Sequence, residues 1–136
     1  MSLDEICDMP VESELATDDA VLFLWATAPL LPEALDVMDS WGFEYRTGAV
    51  WDKKKIGMGY WFRGQHEHLL VGVRGDPPKP PPKAICSSII ASPRGGHSEK
   101  PEAVYRMIEA YYPELPKLEM FARGDRPGWS TWGNQS

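Results

Sequence analysis

The sequence predicts a single α/β domain over residues 1–136, in which strands alternate with helices. The run AVLFLWA (20–26) is apolar throughout and of strand length, as in a strand buried on both faces of a parallel sheet. A helical pattern and then a second strand, FEYRTGAVW (43–51), follow it. With 136 residues, 43% hydrophobic and 25% charged, the chain fits one compact domain and leaves no room for a second.

The first half of the chain carries clear helix signals. The segment SLDE (2–5) is a capping box that begins a short helix, which Pro10 ends. Pro32 begins a longer helix whose apolar residues recur at spacing three, and Gly42 stands where a C-terminal cap belongs. Strand, helix and strand therefore follow in turn, which predicts a right-handed crossover unit.

The middle of the chain is a loop between strands. Residues 52–65, DKKKIGMGYWFRGQ, mix lysines, glycines and aromatic residues, which is typical of a functional loop. HEHLLVGVR (66–74) is the next strand, and the Pro-rich loop 76–83 leaves it in an extended conformation.

The last third adds a helix and a strand. SSIIASP (87–93) is a short strand, and a helix begins at Pro101 and stops at Pro113. KLEMFAR (117–123) is a last buried strand, and a turn-rich tail ending WSTWGNQS follows it.

Charge is distributed unevenly. The net charge is −6, yet residues 1–45 contain eleven acids and no Lys or Arg, whereas residues 46–100 contain ten Lys or Arg and four acids. An acidic chain argues against holding nucleic acid by bulk electrostatics, while its basic central third can still bind phosphates locally. A solvated face explains the same cluster equally well.

Several kinds of site lack support in the sequence. Cys7 and Cys86 are too far apart for a zinc knuckle, and the segment HEH (66–68) has only His97 as a further histidine, so we expect no metal. Neither a nucleophile elbow nor a Walker loop occurs. Residues 78–83 match an SH3-type ligand, but a plain connecting loop explains them better.

Two cations and an aromatic residue stand at positions suited to a ligand. Phe121 and Arg123 end a strand, and ligands of α/β sheets bind beyond the carboxyl ends of strands. Lys100 stands at a helix start, which suits a carboxylate, although solvated surface is the alternative for both cations. Neither a membrane span nor a secretion signal is visible, so the expected location is cytoplasmic.

Seven segments in order resemble the N6-adenine methyltransferase family typified by the seventy-kilodalton AdoMet-binding subunit of eukaryotic mRNA adenosine methyltransferase. The segments are MSLDEI, VLFLWATAPLLPEAL, WGFEYRTGAVWDK, KIGMGYWFRGQHEHLLVGVRG, RGGHSEKPEAVY, KLEMFAR and PGWSTWGNQ. The resemblance implies a Rossmann-like AdoMet-dependent methyltransferase fold in permuted order, N-terminally incomplete, with residues 1–136 as the C-terminal portion of the domain.

The resemblance also assigns residues to S-adenosyl-L-methionine (AdoMet) and to nucleic acid. Lys100 would contact the methionine carboxylate of AdoMet. The adenosine part would be contacted by Phe121, Arg123, Asn134 and Gln135, with Asp125 as a weaker candidate. Glu67 would lie near the target base. Lys53, Tyr60, Trp61 and Arg63 would line the nucleic-acid groove, which agrees with the aromatic and basic composition of their loop.

The catalytic residues of this family are expected upstream of Met1. The family's motif is Asp-Pro-Pro followed by an aromatic residue, which orients the weakly nucleophilic amino nitrogen of adenine. The segment DPPK (76–79) is not a substitute, because Lys79 cannot stack on a base as an aromatic residue can. We therefore expect little methyl transfer by this chain alone, and an unpaired sheet edge that favours a homodimer.

The sequence thus predicts an N6-adenine methyltransferase of DNA or RNA. The competing prediction is a non-catalytic nucleic-acid-binding or partner subunit, which would not bind AdoMet. A plain α/β interaction domain would bind neither AdoMet nor an oligonucleotide. No motif distinguishes DNA from RNA, because no residue pattern specifies a contact to the 2′-hydroxyl.

Overall fold

The computed structural model describes residues 19–93, 100–113, 117–122 and 129–134, the last two ranges through their backbone alone. The described residues divide into two compact units, one of residues 19–79 and 86–93 and the other of the remaining described residues. The expected helix at 2–10 lies outside them. The elements are β1 (Ala20–Ala26), a 3-10 turn (Ala28–Leu30), α1 (Leu31–Ser40), β2 (Glu44–Asp52), β3 (His66–Arg74), β4 (Ile89–Ala91), α2 (Glu102–Tyr111), β5 (Lys117–Ala122) and β6 (Trp129–Asn134).

The first unit is built on a four-stranded sheet with the order β1-β3-β2-β4. β3 is antiparallel to both of its neighbours, and β4 is parallel to β2. β1 and β2 therefore run in the same direction, with α1 between them in sequence and β3 between them in the sheet. The mixed α/β class is confirmed, while the Rossmann-like order and its permutation stay predictions.

The prediction of β1 as a strand buried on both faces of a parallel sheet is wrong for the described sheet. Its neighbour β3 is antiparallel, with Ala20 opposite Arg74 and Ala26 opposite His68. Only Ala26 is buried, and the other β1 residues are partly exposed. The apolar run specifies a strand, whereas its direction depends on which later strand pairs with it, and the composition of the run carries no such information.

Helix α1 ends as the sequence predicts and packs on the sheet. Gly42 has a φ of 84°, and its N–H donates to Asp39 O while the N–H of Phe43 donates to Met38 O, both at 3.0 Å. This Schellman motif requires the left-handed backbone that glycine adopts without strain. Met38 is fully buried, and a Cβ at Gly72 of β3 would lie 2.8 Å from its Sδ, so this face of β3 is packed against α1.

The second unit contains α2 and the pair β5-β6. Pro101 precedes α2, Val104 is buried, and Arg106 forms an exposed ion pair of 3.5 Å with Glu102. β5 and β6 are parallel, with Ala122 and Asn134 as register partners at their carboxyl ends. The expected turn-rich tail is thus corrected: residues 129–134 form a strand.

Neither α1 nor α2 could cross a membrane, since within the described ranges no helix has the length and apolarity needed.

Candidate nucleic-acid and cofactor sites

The carboxyl ends of three strands meet at one end of the four-stranded sheet. β1 ends at Ala26, β2 at Asp52 and β4 at Ala91, and the start of β3 pairs with the ends of β1 and β2. Ligands of α/β sheets bind beyond the carboxyl ends of the strands. The loop that joins β2 to β3 begins at this end, so the basic and aromatic residues lie where a ligand is expected.

The loop base, which we define as Asp52, Lys53, Gln65 and Glu67, is closed by hydrogen bonds. Asp52 Oδ1 accepts from the backbone N–H of Lys54 at 2.9 Å and from Gln65 Nε2 at 3.0 Å. The N–H of Lys53 donates to Gln65 O at 2.9 Å. These bonds lower the pKa of Asp52, the bond from Lys54 most and that from Gln65 next. The base therefore prefers an ionised Asp52.

The loop tip, which we define as residues 58–62, presents apolar side chains to solvent. Met58 is 96% exposed and Trp61 94%, and Tyr60 and Phe62 are similarly exposed. The backbone of the tip requires a glycine at position 59, because a Cβ at Gly59 would collide with Phe62 O. Exposed aromatic residues beside cations suit stacking on unpaired bases.

Lys53 and Glu67 form an ion pair at the loop base. Nζ of Lys53 lies 2.9 Å from Oε2 of Glu67, with side chains 22% and 12% exposed. The same Nζ lies 5.6 Å from the ring centroid of Trp51. Trp51 is itself buried, and its Nε1 donates to Ser92 O at 2.8 Å. The ammonium of Lys53 is thus held between a carboxylate and a fixed indole ring.

The ion pair lies on the sheet face opposite to α1. Trp51 is the register partner of Glu67, and Trp25 is the partner of Leu69, two residues further along β3. Residues opposite each other, and residues two apart on a strand, share a face. Trp25, Trp51 and Glu67 therefore share one face, and the rings of the two tryptophans meet edge to face at 5.6 Å. Gly72, which packs on α1, belongs to the other face.

His66 and His68 stand on the face that carries Gly72. Their ring centroids are 5.1 Å apart. Across the described stretches of the chain, no cluster of three or more His, Cys, Asp or Glu residues is arranged to hold a metal ion.

The residues assigned to AdoMet belong to the second unit. Lys100 directly precedes Pro101 and the start of α2, Phe121 lies in β5, and Asn134 ends β6. β5 and β6 are parallel and end in register, so Phe121 and Asn134 lie at neighbouring strand carboxyl ends. The other three assigned residues lie outside the described ranges: Arg123, Asp125 and Gln135.

Of the five predicted nucleic-acid residues, two are in direct contact. Lys53 pairs with Glu67, whereas Tyr60, Trp61 and Arg63 are exposed in the loop. No sequence pattern singles out Trp51 or Gln65, which hold the loop base. Trp51 and Lys53 are two apart at the end of a strand, which predicts a common face, but only the strand register brings Glu67 to that face.

The chain is similar to known proteins along nearly all of its length. The family model MT-A70 matches residues 1–135. The type II methyltransferase M.MunI of Mycoplasma sp is 39% identical over 134 residues, which are 98% of this chain and 57% of that protein. The human N(6)-adenosine-methyltransferase catalytic subunit METTL3 is 35% identical over 128 residues, 87% of this chain and 22% of that protein.

A third relative extends the same pattern. The N(6)-adenosine-methyltransferase MT-A70-like protein of Drosophila melanogaster is 33% identical over 145 residues, 99% of this chain and 23% of that protein. The chain thus spans between about a fifth and somewhat over half of the length of these relatives.

Proposed function

Because the chain belongs to the MT-A70 family, we propose that its residues serve the methylation of the N6 amino group of adenine in DNA or RNA, with AdoMet as methyl donor. The observation that carries the proposal is the match of one family model along residues 1–135. The name of METTL3, which specifies N(6)-adenosine methylation, supports the choice of adenine. The whole domain, rather than these 136 residues alone, is the unit for which we propose the activity.

The proposed AdoMet site joins Lys100 to the carboxyl ends of β5 and β6. A lysine at a helix start suits the carboxylate of the methionine moiety, because its ammonium and the helix N–H groups are both positive. Phe121 and Asn134 lie at neighbouring strand ends, the usual place for an adenosine group in a parallel sheet. Arg123, Gln135 and Asp125 complete the proposed set. When bound, AdoMet supplies an electrophilic methyl group on its sulfonium.

The proposed nucleic-acid site is the loop between β2 and β3. Tyr60 and Trp61 would stack on unpaired or flipped bases, and Arg63 would bind phosphate. Glu67 would lie near the target base. The adenine amino nitrogen is a weak nucleophile because its lone pair is delocalised into the ring, so the reaction depends on how firmly the base is positioned.

Calorimetric titration of the chain with AdoMet tests the cofactor part. We expect binding that weakens about tenfold or more in Lys100→Ala, since a charge-assisted hydrogen bond contributes roughly 1.5–3 kcal/mol. Lys117→Ala is the matched control, because Lys117 begins β5 at the opposite end of the strand from the proposed site. Absence of AdoMet binding, or equal weakening in both variants, would contradict the assignment.

The second candidate function is a non-catalytic nucleic-acid-binding or partner subunit. The exposed loop tip favours it, because that tip could bind nucleic acid without any cofactor. This candidate predicts oligonucleotide binding with no heat of AdoMet binding, so the same titration separates the two functions.

We further propose a homodimer and a cytoplasmic location. Within the described sheet, β1 pairs on one side only, and its apolar sequence has none of the charges or prolines that protect edge strands. A second copy could pair along this edge. Sedimentation velocity that gives a monomer at all concentrations would contradict the dimer, and fractionation of cells tests the location.

A further inference from the structure

The loop tip stands on a stem that is closed by backbone hydrogen bonds. The N–H of Gly57 donates to Gly64 O at 2.7 Å, and the N–H of Lys53 donates to Gln65 O at 2.9 Å. The residues between Gly57 and Gly64 therefore run out from this stem and back to it. About three extended residues in each direction reach at most roughly 10 Å, which exceeds the depth of about 8 Å of a groove in double-stranded DNA.

Apolar surface and charge are separated within this loop. The tip contains no charged residue, and its four large side chains are each at least 88% exposed. Exposed cations flank the tip on both sides, and we define these shoulders as Lys54, Lys55 and Arg63. Lys53 is not one of them, because its ammonium is paired with Glu67.

This separation favours a duplex over a single strand as the ligand. A site for a single strand combines cations that follow the backbone with aromatic rings on which successive bases stack. A duplex instead has its phosphates outside and its base stack inside, and proteins that open it insert apolar side chains between base steps. An uncharged tip between two basic shoulders matches the second arrangement.

We propose that the loop tip is a wedge that enters a nucleic-acid duplex and fills the space left when the target base turns out of the stack, while the shoulders bind the phosphates on either side. This inference rests on the proposed function, which supplies the target base, and it specifies double-stranded nucleic acid as the substrate class. Turning a base out of the stack costs stacking and pairing energy. Rings of the tip that stack on the bases beside the vacancy offset part of that cost.

The test measures binding of the chain to three nucleic acids of one sequence. They are a single strand, an intact duplex and the same duplex with one abasic site, and the set is made in DNA and in RNA. An abasic site provides the vacancy without turning a base out, so the result does not depend on the target sequence. By fluorescence anisotropy, we expect the abasic duplex of at least one set to bind roughly tenfold or more tightly than the intact duplex.

Trp61→Ala should abolish this preference for the abasic duplex. It should leave binding of the intact duplex nearly unchanged, because that binding depends on phosphate contacts. Trp61→Phe keeps an aromatic ring and should retain most of the preference. Ile56→Ala is the matched control, since Ile56 is also apolar and 60% exposed but precedes the closed stem. It should retain the full preference.

Two further measurements distinguish the wedge from the shoulders. Lys55→Met should keep the preference and make the dependence of log affinity on log salt concentration less steep by about 0.9, the value for one phosphate contact on a duplex. The second measurement places 2-aminopurine beside the abasic site. Its fluorescence should fall when the wild-type chain binds, because a ring then stacks on it, and should not fall when Trp61→Ala binds.

The outcomes separate the inference from the function on which it rests. Equal affinity for the two duplexes, or tightest binding to the single strand, overturns the inference and leaves nucleic-acid binding by the loop in place. Equal losses for all three ligands in Trp61→Ala also overturn it, because the tip then stacks without entering a vacancy.

The remaining outcomes concern the tip as a whole. If sedimentation velocity shows self-association that Trp61→Ala removes, and no abasic preference exists, the tip contacts a second copy and the inference is overturned. If the wild-type chain binds none of the ligands at low salt, nucleic-acid binding by this loop fails, and the inference fails with it. Thermal unfolding of each variant establishes that it is folded.

Discussion

The loop between β2 and β3 has a base and a tip whose side chains are held in opposite ways. At the base, Lys53 is paired with Glu67 and Asp52 accepts two hydrogen bonds. At the tip, Trp61 is 94% exposed, and its neighbours are as open to solvent. Few residues separate these regions in sequence, and both contain the residue types expected in a nucleic-acid site.

Composition alone does not distinguish a side chain fixed at the loop base from one exposed at the tip. Lys53 and Lys55 are equal members of a basic run in the sequence, yet only Lys53 ends beside a carboxylate and an indole. Likewise, Trp51 directly precedes the loop and Trp61 lies within it, but Trp51 is buried and Trp61 is not. The base is fixed by an ion pair and hydrogen bonds, whereas the side chains of the tip are exposed to solvent.

The largest effect that we expect is the difference in stability between alanine substitutions at these two tryptophans. Trp51→Ala should lower the free energy of unfolding by about 3–5 kcal/mol, the usual cost of truncating a buried aromatic residue. It removes the contact with Trp25 and leaves Ser92 O without its indole donor. Trp61→Ala is the matched control and should change stability by less than about 0.5 kcal/mol. Urea denaturation measures both.

Similar losses of stability in the two variants would contradict the contrast between a packed Trp51 and an exposed Trp61. A cost above about 1 kcal/mol for Trp61→Ala would mean that the tip packs against the rest of the chain rather than facing solvent.

Much of the local structure could be predicted because it depends on local signals. β3 begins at His66 and ends at Arg74, the bounds that the sequence predicts for it. The cap of α1 forms at Gly42, since a Schellman motif needs a left-handed residue at that place. The loop between β2 and β3 was predicted from its glycines and lysines.

The arrangement of the strands could not be predicted in the same way. The insertion of β3 between β1 and β2, and the pairing of Lys53 with Glu67, both depend on the register of strands that are distant in sequence. β6 was missed because polar residues and a glycine interrupt its apolar pattern, so the pairing with β5 decides its conformation. Which lysine of the basic run pairs with Glu67 likewise depends on that register.

A second, smaller effect concerns binding at the tip. Trp61→Ala should weaken binding of a single-stranded oligonucleotide by about 1–3 kcal/mol, because stacking on one base contributes that much. Tyr45→Ala is the control, since Tyr45 is also exposed but lies at the start of β2, far along the strand from the loop. Equal losses in the two variants, or none in Trp61→Ala, would show that the tip does not stack on bases. Anisotropy titration provides the measurement.

The smallest effect concerns the charge of Asp52 at the base. The hydrogen bonds from the Lys54 N–H and then from Gln65 hold the pKa of Asp52 below its ordinary value of 3.8. A group whose pKa is depressed in the folded state stabilises that state above its unfolded pKa, and this contribution is lost as the pH falls through the folded pKa. The wild-type chain should therefore be more stable than Asp52→Asn at pH 7, and the difference should shrink below about pH 4.

Urea midpoints of both proteins at pH 7 and pH 3 measure this difference. Water reaches the carboxylate, so the effect should be modest. A difference that grows on acidification would mean that burial rather than hydrogen bonding dominates at Asp52, because burial raises the pKa of a carboxyl group and reverses the sign. The loop base would then favour a neutral Asp52. Only the ion pair between Lys53 and Glu67 would then distinguish the base from the tip.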